Sequence, residues 1–228
     1  MTHHQYDKVK QLQRIWFLQG LFGKKRSQDI VTKQAEIELA GQAAVKNRPH
    51  LDDSVIYDAS MLARLAECKD KCWAYNQIRP SDEEARAAAI RGILGRCGEK
   101  ITILPNFWCD IGSNIFVGER FFANHGLTIL DGARVTFGDD VFIGPDCGFY
   151  TVGHSLDPAR RNMGLEIARP ISVGDSVWFG GHVTACPGVT IGSNVTIGAG
   201  SVVISDIPPN VLAAGNPCRV VRTIRSRN

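Results

Sequence analysis

His154 is the residue of this 228-residue chain whose type and setting most readily do chemistry. It closes the string Thr151-Val-Gly-His154, at the head of a stretch, Gly153–Pro170, where an otherwise regular six-residue pattern lapses. An alcohol is a weak nucleophile until it loses its proton, and an imidazole titrates in the range needed to take it. A lone loop histidine is ordinarily a surface residue. The interruption of the pattern singles this one out, because segments projecting from a regular scaffold are where functional groups concentrate. Four arginines, Arg219, Arg222, Arg225 and Arg227, crowd the last ten positions with no acid among them. They read either as a solvated tail or as guanidinium groups for a phosphate-rich ligand. Seven cysteines, an odd number, stand at Cys68, Cys72, Cys97, Cys109, Cys147, Cys186 and Cys218, with no C-x-x-C pair among them. That points to reduced thiols in a cytoplasmic protein. Cys68 and Cys72, four apart on an expected helix, read as one core face ahead of a metal site.

The elements that must position His154 are written in a six-residue repeat. From Val173 an apolar or small residue returns at Phe179, Ala185, Ile191, Ile197 and Val203, and Gly follows it at Gly174, Gly180, Gly192 and Gly198. A second apolar site falls four residues later, at Val177, Val183, Val189 and Val195. Neither a helical period of 3.6 nor plain strand alternation produces this pattern; a solenoid of very short strands does. The same register runs upstream through Ile111, Val117, Ala123, Ile129 and Val135, then restarts two residues out of phase at Phe137. Between inward residues the chain must turn corners, for which Gly, Asn194, Asp139 and Asp175 accept left-handed geometry. The pattern resembles the hexapeptide-repeat proteins, which implies a mainly β chain folded as a left-handed parallel β-helix of roughly five coils of about 18 residues, stacked at about 4.8 Å.

A hydrophobic fraction of 44% suits one main domain with additions, and a net charge of +3 is too small to suggest nucleic acid. No signal peptide is expected: the apolar stretch Ile15–Leu18 is short and is followed by Gln19 and Gly20. No segment approaches the roughly 20 apolar residues of a membrane span. The organisation expected is a 1–54 extension with weakly helical pieces such as Thr32–Ala44, a helical cap over 55–98, the β-helix over 99–208 with an active-site loop at 153–170, and a basic segment over 209–228. In the cap, Ser60 is placed to start a helix running to about Gln77, with Leu62, Leu65, Ala66, Cys72 and Trp73 on its apolar side. Ser81-Asp-Glu-Glu84 reads as a capping box that opens a second helix to about Arg96, ended by Cys97–Gly98.

The string YDAS, the helix pair, PNFWCDIGSNIFVG, FFANHGLTILD, TVGHSLDPARR, VWFGGHVTACPGVTIG and the ending IGAGSVVISDIPPNVLAAGNPCRVVR together closely resemble the maltose/galactoside O-acetyltransferase group, which includes nodulation sugar acetyltransferases. The resemblance covers about Tyr57 to Thr223. It implies an acetyl-CoA-dependent O-acetyltransferase, cytoplasmic and homotrimeric, with no metal requirement and each site shared between neighbouring prisms. His154 matches the family's catalytic histidine. Asn124 matches an asparagine that contacts the acceptor and assists the tetrahedral intermediate, its bland alternative being a left-handed corner residue. Asp58, Asp110 and Asp131 match positions that touch the acceptor sugar. Asp110 is of the maltose and nodulation branch, and Gly132 replaces the second acid of the galactoside pattern. Gly181, Ala199, Ile204 and Ser205 match positions along acetyl-CoA, Ser205 replacing a common lysine. Arg219 and Arg222 match arginines that face the CoA phosphates. Trp178 fits a block packed near the catalytic loop or serves as a structural wall. Three other readings stand beside this one: a non-sugar acceptor such as an antibiotic hydroxyl, a non-catalytic β-helix used for assembly, and zinc-dependent hydration. The last needs three metal-binding histidines, and His125, His154 and His182 lack the spacing.

Overall fold

The computed structural model describes residues 54–55 and 58–224. The N-terminal extension up to Asp53, Tyr57 of the YDAS string, Arg225 and Arg227 lie outside the described residues. Of those described, Ser155–Leu165 form one compact unit and the remainder another.

The larger unit is the expected parallel β-helix. Its chain visits three sheets in rotation, with a strand of two to four residues in each. The first sheet stacks β2 (Ile101–Ile103), β5 (Phe121–Ala123), β8 (Phe142–Ile143), β13 (Trp178–Phe179), β16 (Thr196–Ile197) and β18 (Val211–Ala214), all parallel, and ends on the antiparallel β19 (Arg219–Thr223). The second stacks β3 (Trp108–Cys109), β6 (Thr128–Leu130), β9 (Gly148–Tyr150), β14 (Thr184–Ala185) and β17 (Val202–Val203). The third stacks β4 (Ile115–Val117), β7 (Val135–Phe137), β12 (Ile171–Val173) and β15 (Thr190–Ile191). Six parallel rungs in the first sheet make six coils where the repeat suggested five. The outermost rungs, β2 and β18, carry no apolar–Gly pair, and the six-residue signal does not reach them.

Coil length explains the phase jump at Phe137. Downstream, in-register partners are 18 residues apart, as in Trp178 with Thr196 and Thr184 with Val202. Upstream they are 20 apart, as in Ile101 with Phe121, Trp108 with Thr128 and Ile115 with Val135. The surplus sits at one corner, between the second and third sheets. There the chain advances eight positions from Cys109 to Val117 and from Ile129 to Phe137, against six from Ala185 to Ile191. In the next coil the whole 153–170 excursion opens at that same corner.

Packing follows the repeat. Both inward series are buried, and a column of aromatic rings runs along the axis: Phe121, Phe137, Phe149 and Phe179 meet edge to face at 5.0–5.3 Å. Such pairs add about 0.5–1.5 kcal/mol each beyond their burial. Left-handed backbone falls at Asp140, Ser176 and Asn194; Asn194 is as expected, while Asp139 and Asp175 each stand one residue earlier. Their carboxylates instead bind coil to coil, Asp139 accepting from the Glu119 amide and Asp175 from the Asp139 amide, both at 2.8 Å. An Asp side chain serves a corner more cheaply by accepting such an amide than by adopting positive φ.

Two helices precede the coil. In α1 (Ala59–Asn76) the N-cap is Asp58 rather than Ser60, its carboxylate accepting from the Met61 amide at 2.8 Å. The buried stripe is Cys68, Cys72 and Tyr75; Trp73, expected on the apolar side, is 61% exposed. α2 (Glu83–Arg91) is capped by Asp82, one residue after the Ser81 expected, and ends at Gly92, short of Arg96. Its early end has a cause: Arg96 already pairs with Phe116 of the coil, and a Cβ on Gly95 would lie 2.2 Å from the Ser113 carbonyl oxygen.

The excursion contains more structure than a bare loop. β10 (Val152–His154) and β11 (Glu166–Ala168) form an antiparallel ribbon, and β1 (Ser54–Val55) adds to β11. Within the smaller unit, α3 (Pro158–Asn162) is capped by Asp157, and Arg161 donates to the Ser155 carbonyl at 2.9 Å. Among the described residues no helix is long and apolar enough to cross a membrane.

Candidate active site

The enlarged corner gathers two of the four candidate acceptor-side residues, Asp110 and Asp131, and leads on to His154. Asp110 follows β3, Asp131 follows β6, and Thr151 follows β9, so successive coils present them on one edge of the β-helix. From Thr151 the ribbon leaves with His154 at its end. The cross-strand partner of His154 is Glu166, and a ring nitrogen stands 3.7 Å from the Glu166 carboxylate. The histidine side chain is 59% exposed, whereas Glu166 is mostly covered. Glu166 was not singled out from sequence; its only signal is its place twelve residues after His154 in a ribbon that had read as loop.

The carboxylates differ sharply in environment. Asp131 is fully buried: Oδ1 accepts the amides of Asp110 at 3.0 Å and Ile111 at 2.8 Å, while Oδ2 has no hydrogen-bond partner. Burial raises its pKa, and the amide hydrogen bonds oppose the rise. In the isolated chain it therefore fastens the Cys109–Gly112 turn and shows no surface to an acceptor. Asp110, partly buried, is raised from 3.8 to about 6, first by burial and then by the Asp131 charge, with Glu166 adding to it and Lys69 opposing. Asp58 is exposed at the head of α1, and its carboxylate is held below the ordinary range by the Met61 amide and the Ser60 hydroxyl. Its hydrogen bonds go to its own helix, not to another candidate residue.

Asn124 lies on a different edge. It follows β5 at the corner between the first and second sheets, with its side-chain oxygen accepting from the His125 amide at 2.8 Å. Its backbone is not left-handed, so the corner-residue alternative is removed for this position. Gly181 and Ala199 follow β13 and β16 on the same edge, stacked so tightly that a Cβ on Gly180 would lie 2.6 Å from the Ala199 amide. Ile204 and Ser205 follow β17 on the His154 edge; Arg219 and Arg222 sit on the exposed β19, opposite Ala214 and Leu212. A rung of the second sheet with its turn separates the two edges by roughly 15–20 Å. One chain thus carries the candidate residues on two edges and does not bring them together.

The maltose acetyltransferase hexapeptide capping motif matches residues 56–98, and the six-repeat bacterial transferase hexapeptide matches 170–205. A Saccharomyces cerevisiae protein named "Putative acetyltransferase YJL218W" is 52% identical over 172 residues, covering 75% of this chain and 88% of that one. The chain belongs to the maltose/galactoside acetyltransferase group of hexapeptide-repeat enzymes. Among solved structures, a galactoside acetyltransferase in complex with coenzyme A superposes with a TM-score of 0.73 at 40% identity, over 75% of this chain and 86% of that one. A maltose O-acetyltransferase from Clostridium difficile gives 0.73 at 43%, over 74% and 90%.

Within this acetyltransferase, Gly132 has a steric reason. A Cβ there would lie 2.4 Å from Val152 Cγ1, so the ribbon leading to His154 fills the space that an acid would need. Gly132→Asp is expected to cost about 1–3 kcal/mol of stability in urea unfolding, as overpacking does. Unchanged stability would show that Val152 yields freely. Asp110 predicts a pH effect. Its folded pKa lies above its unfolded one, so the folded state holds the extra proton and stability falls as pH rises from about 3.8 to about 6. In Asp110→Asn, thermal unfolding followed across that window should lose this component of the decline; an unaltered slope would place the repulsion elsewhere.

Proposed function

We propose that this enzyme transfers acetyl from acetyl-CoA to a hydroxyl of a sugar, such as maltose, glucose or a related oligosaccharide. The observation carrying the proposal is the pairing of His154 with Glu166 beside the enlarged corner that holds Asp110 and Asp131. His154 removes the hydroxyl proton, the oxygen attacks the thioester carbonyl, the carbon–sulfur bond breaks, and the same proton passes to the departing CoA thiolate. Glu166 stabilises the imidazolium formed between those steps and orients the ring. The Asn124 side-chain amide donates to the oxyanion of the tetrahedral intermediate.

Because Asn124 and His154 occupy separate edges, the complete site takes one edge from each of two neighbouring copies in a homotrimer. An outward, largely apolar row supports such an assembly: Phe122, Phe142, Trp178, Thr196 and Leu212 lie along the first sheet with Thr196 its polar member, Phe142 50% and Trp178 57% exposed. Trp178 belongs to this row. Acetyl-CoA lies between the stacked turns at Gly181 and Ala199 of one copy and the turn at Ile204 and Ser205 of its neighbour, with Arg219 and Arg222 on its phosphates. Replacing both arginines by alanine should raise the KM for acetyl-CoA by at least about tenfold, with a smaller change in kcat; an unchanged KM removes them from the phosphate site. The decisive assay is acetyl-CoA-dependent thiol release against a panel of sugars. Release with none of them, but with an antibiotic hydroxyl or amino sugar, would transfer the reaction to that acceptor class.

A further inference from the structure

A separate chemical feature lies where the cap meets the first coil. Cys68 and Cys72 on α1 converge with Cys109 of β3, their side chains 3%, 0% and 4% exposed. Cys109 Sγ is 3.4 Å from Cys68 Sγ and 3.7 Å from Cys72 Sγ, and all three sulfurs lie within 4.8 Å of one another. A helix supplies two donors from one face at i and i+4, and the strand supplies the third from the opposite side. Thiolates bound at about 2.3 Å to one closed-shell cation stand roughly 4 Å apart. Two of the separations lie just below that spacing and the third is within 4.8 Å, whereas a disulfide would require closing by more than an ångström.

We propose that Cys68, Cys72 and Cys109 form a binding site for a single soft, thiophilic monovalent cation in a three-coordinate thiolate set, the coordination chemistry of Cu(I). Two features select this class. Among the described residues the group offers sulfur donors alone, and soft thiolates favour Cu(I) over hard cations. Among the described residues no fourth protein donor belongs to the group, and its burial excludes a water ligand, which disfavours the tetrahedral requirement of Zn²⁺. Each sulfur that ligates releases its thiol proton, so three protons leave as one cation binds. The site does not rest on the acetyl-transfer reading.

The test is anaerobic titration of the reduced full-length chain with Cu(I) against a chromophoric Cu(I) chelator. One equivalent should resist the chelator and give an ultraviolet thiolate-to-copper band. That equivalent should be lost in Cys68→Ser and in Cys109→Ser and kept in Cys97→Ser and Cys147→Ser. No retained equivalent, or equal retention in Cys68→Ser, overturns the assignment. Should the serine variants fail to fold, X-ray absorption on the copper-loaded wild-type chain decides: three sulfur neighbours are expected, and nitrogen or oxygen neighbours overturn it. Retention of Zn²⁺ in preference to Cu(I) overturns the three-coordinate chemistry.

Discussion

Replacing His154 by alanine is expected to lower kcat by about 10²–10⁴-fold while the KM for acetyl-CoA stays within a small factor of wild type. The side chain is open to solvent at the end of β10, so its loss leaves no cavity. Stability should therefore be nearly unchanged, and the thermal unfolding midpoint checks that directly. Glu166→Gln keeps the shape and removes the charge; it should reduce kcat less than His154→Ala does. A His154→Ala enzyme with normal turnover would remove the base from the mechanism, whatever the fate of Glu166.

The parts of this molecule written in its sequence are those governed by short-range repetition. An inward apolar residue every sixth position, with Gly at the following corner, can be satisfied only by a coil, and Val177 to Val195 and Phe179 to Val203 are buried as that pattern requires. What was not legible depends on contacts between coils. The two surplus residues per upstream coil show as one phase shift at Phe137, yet they recur at a single corner because in-register pairing stacks Cys109 on Ile129 and Ile129 on Phe149. That corner brings Asp110, the buried Asp131 and the start of the His154 ribbon to one edge, and no local pattern places them together. Glu166 was hidden for the same reason: its partner lies across a ribbon. The caps erred by one or two residues because Asp58 and Asp82, in place of Ser60 and Ser81, accept the amides of Met61 and Ala85, and a carboxylate is the stronger acceptor.

The separation of Asn124 from His154 leads to the second large effect. Asn124→Ala alone should lower kcat by about 10²–10³-fold, the usual loss for one oxyanion donor. Mixed after reversible dissociation, His154→Ala and Asn124→Ala chains should recover activity that neither homotrimer has. Each site then draws its histidine from one copy and its asparagine from the next, so random reassortment leaves about a quarter of the sites intact. The recovered kcat per chain should approach that fraction of wild type, with a wild-type KM for acetyl-CoA, because the surviving sites are complete rather than repaired. No recovery in a mixture shown to have exchanged subunits would mean that one chain supplies both residues. The roughly 15–20 Å across the second sheet would then have to be bridged within a single coil, which an extended rung of fixed register cannot do. A doubly substituted chain mixed with wild type supplies the control. Its sites can be completed only where two wild-type chains adjoin, so activity there should again fall to about a quarter of the wild-type value per chain, and complementation is read as the gain of the first mixture over its own inactive parents.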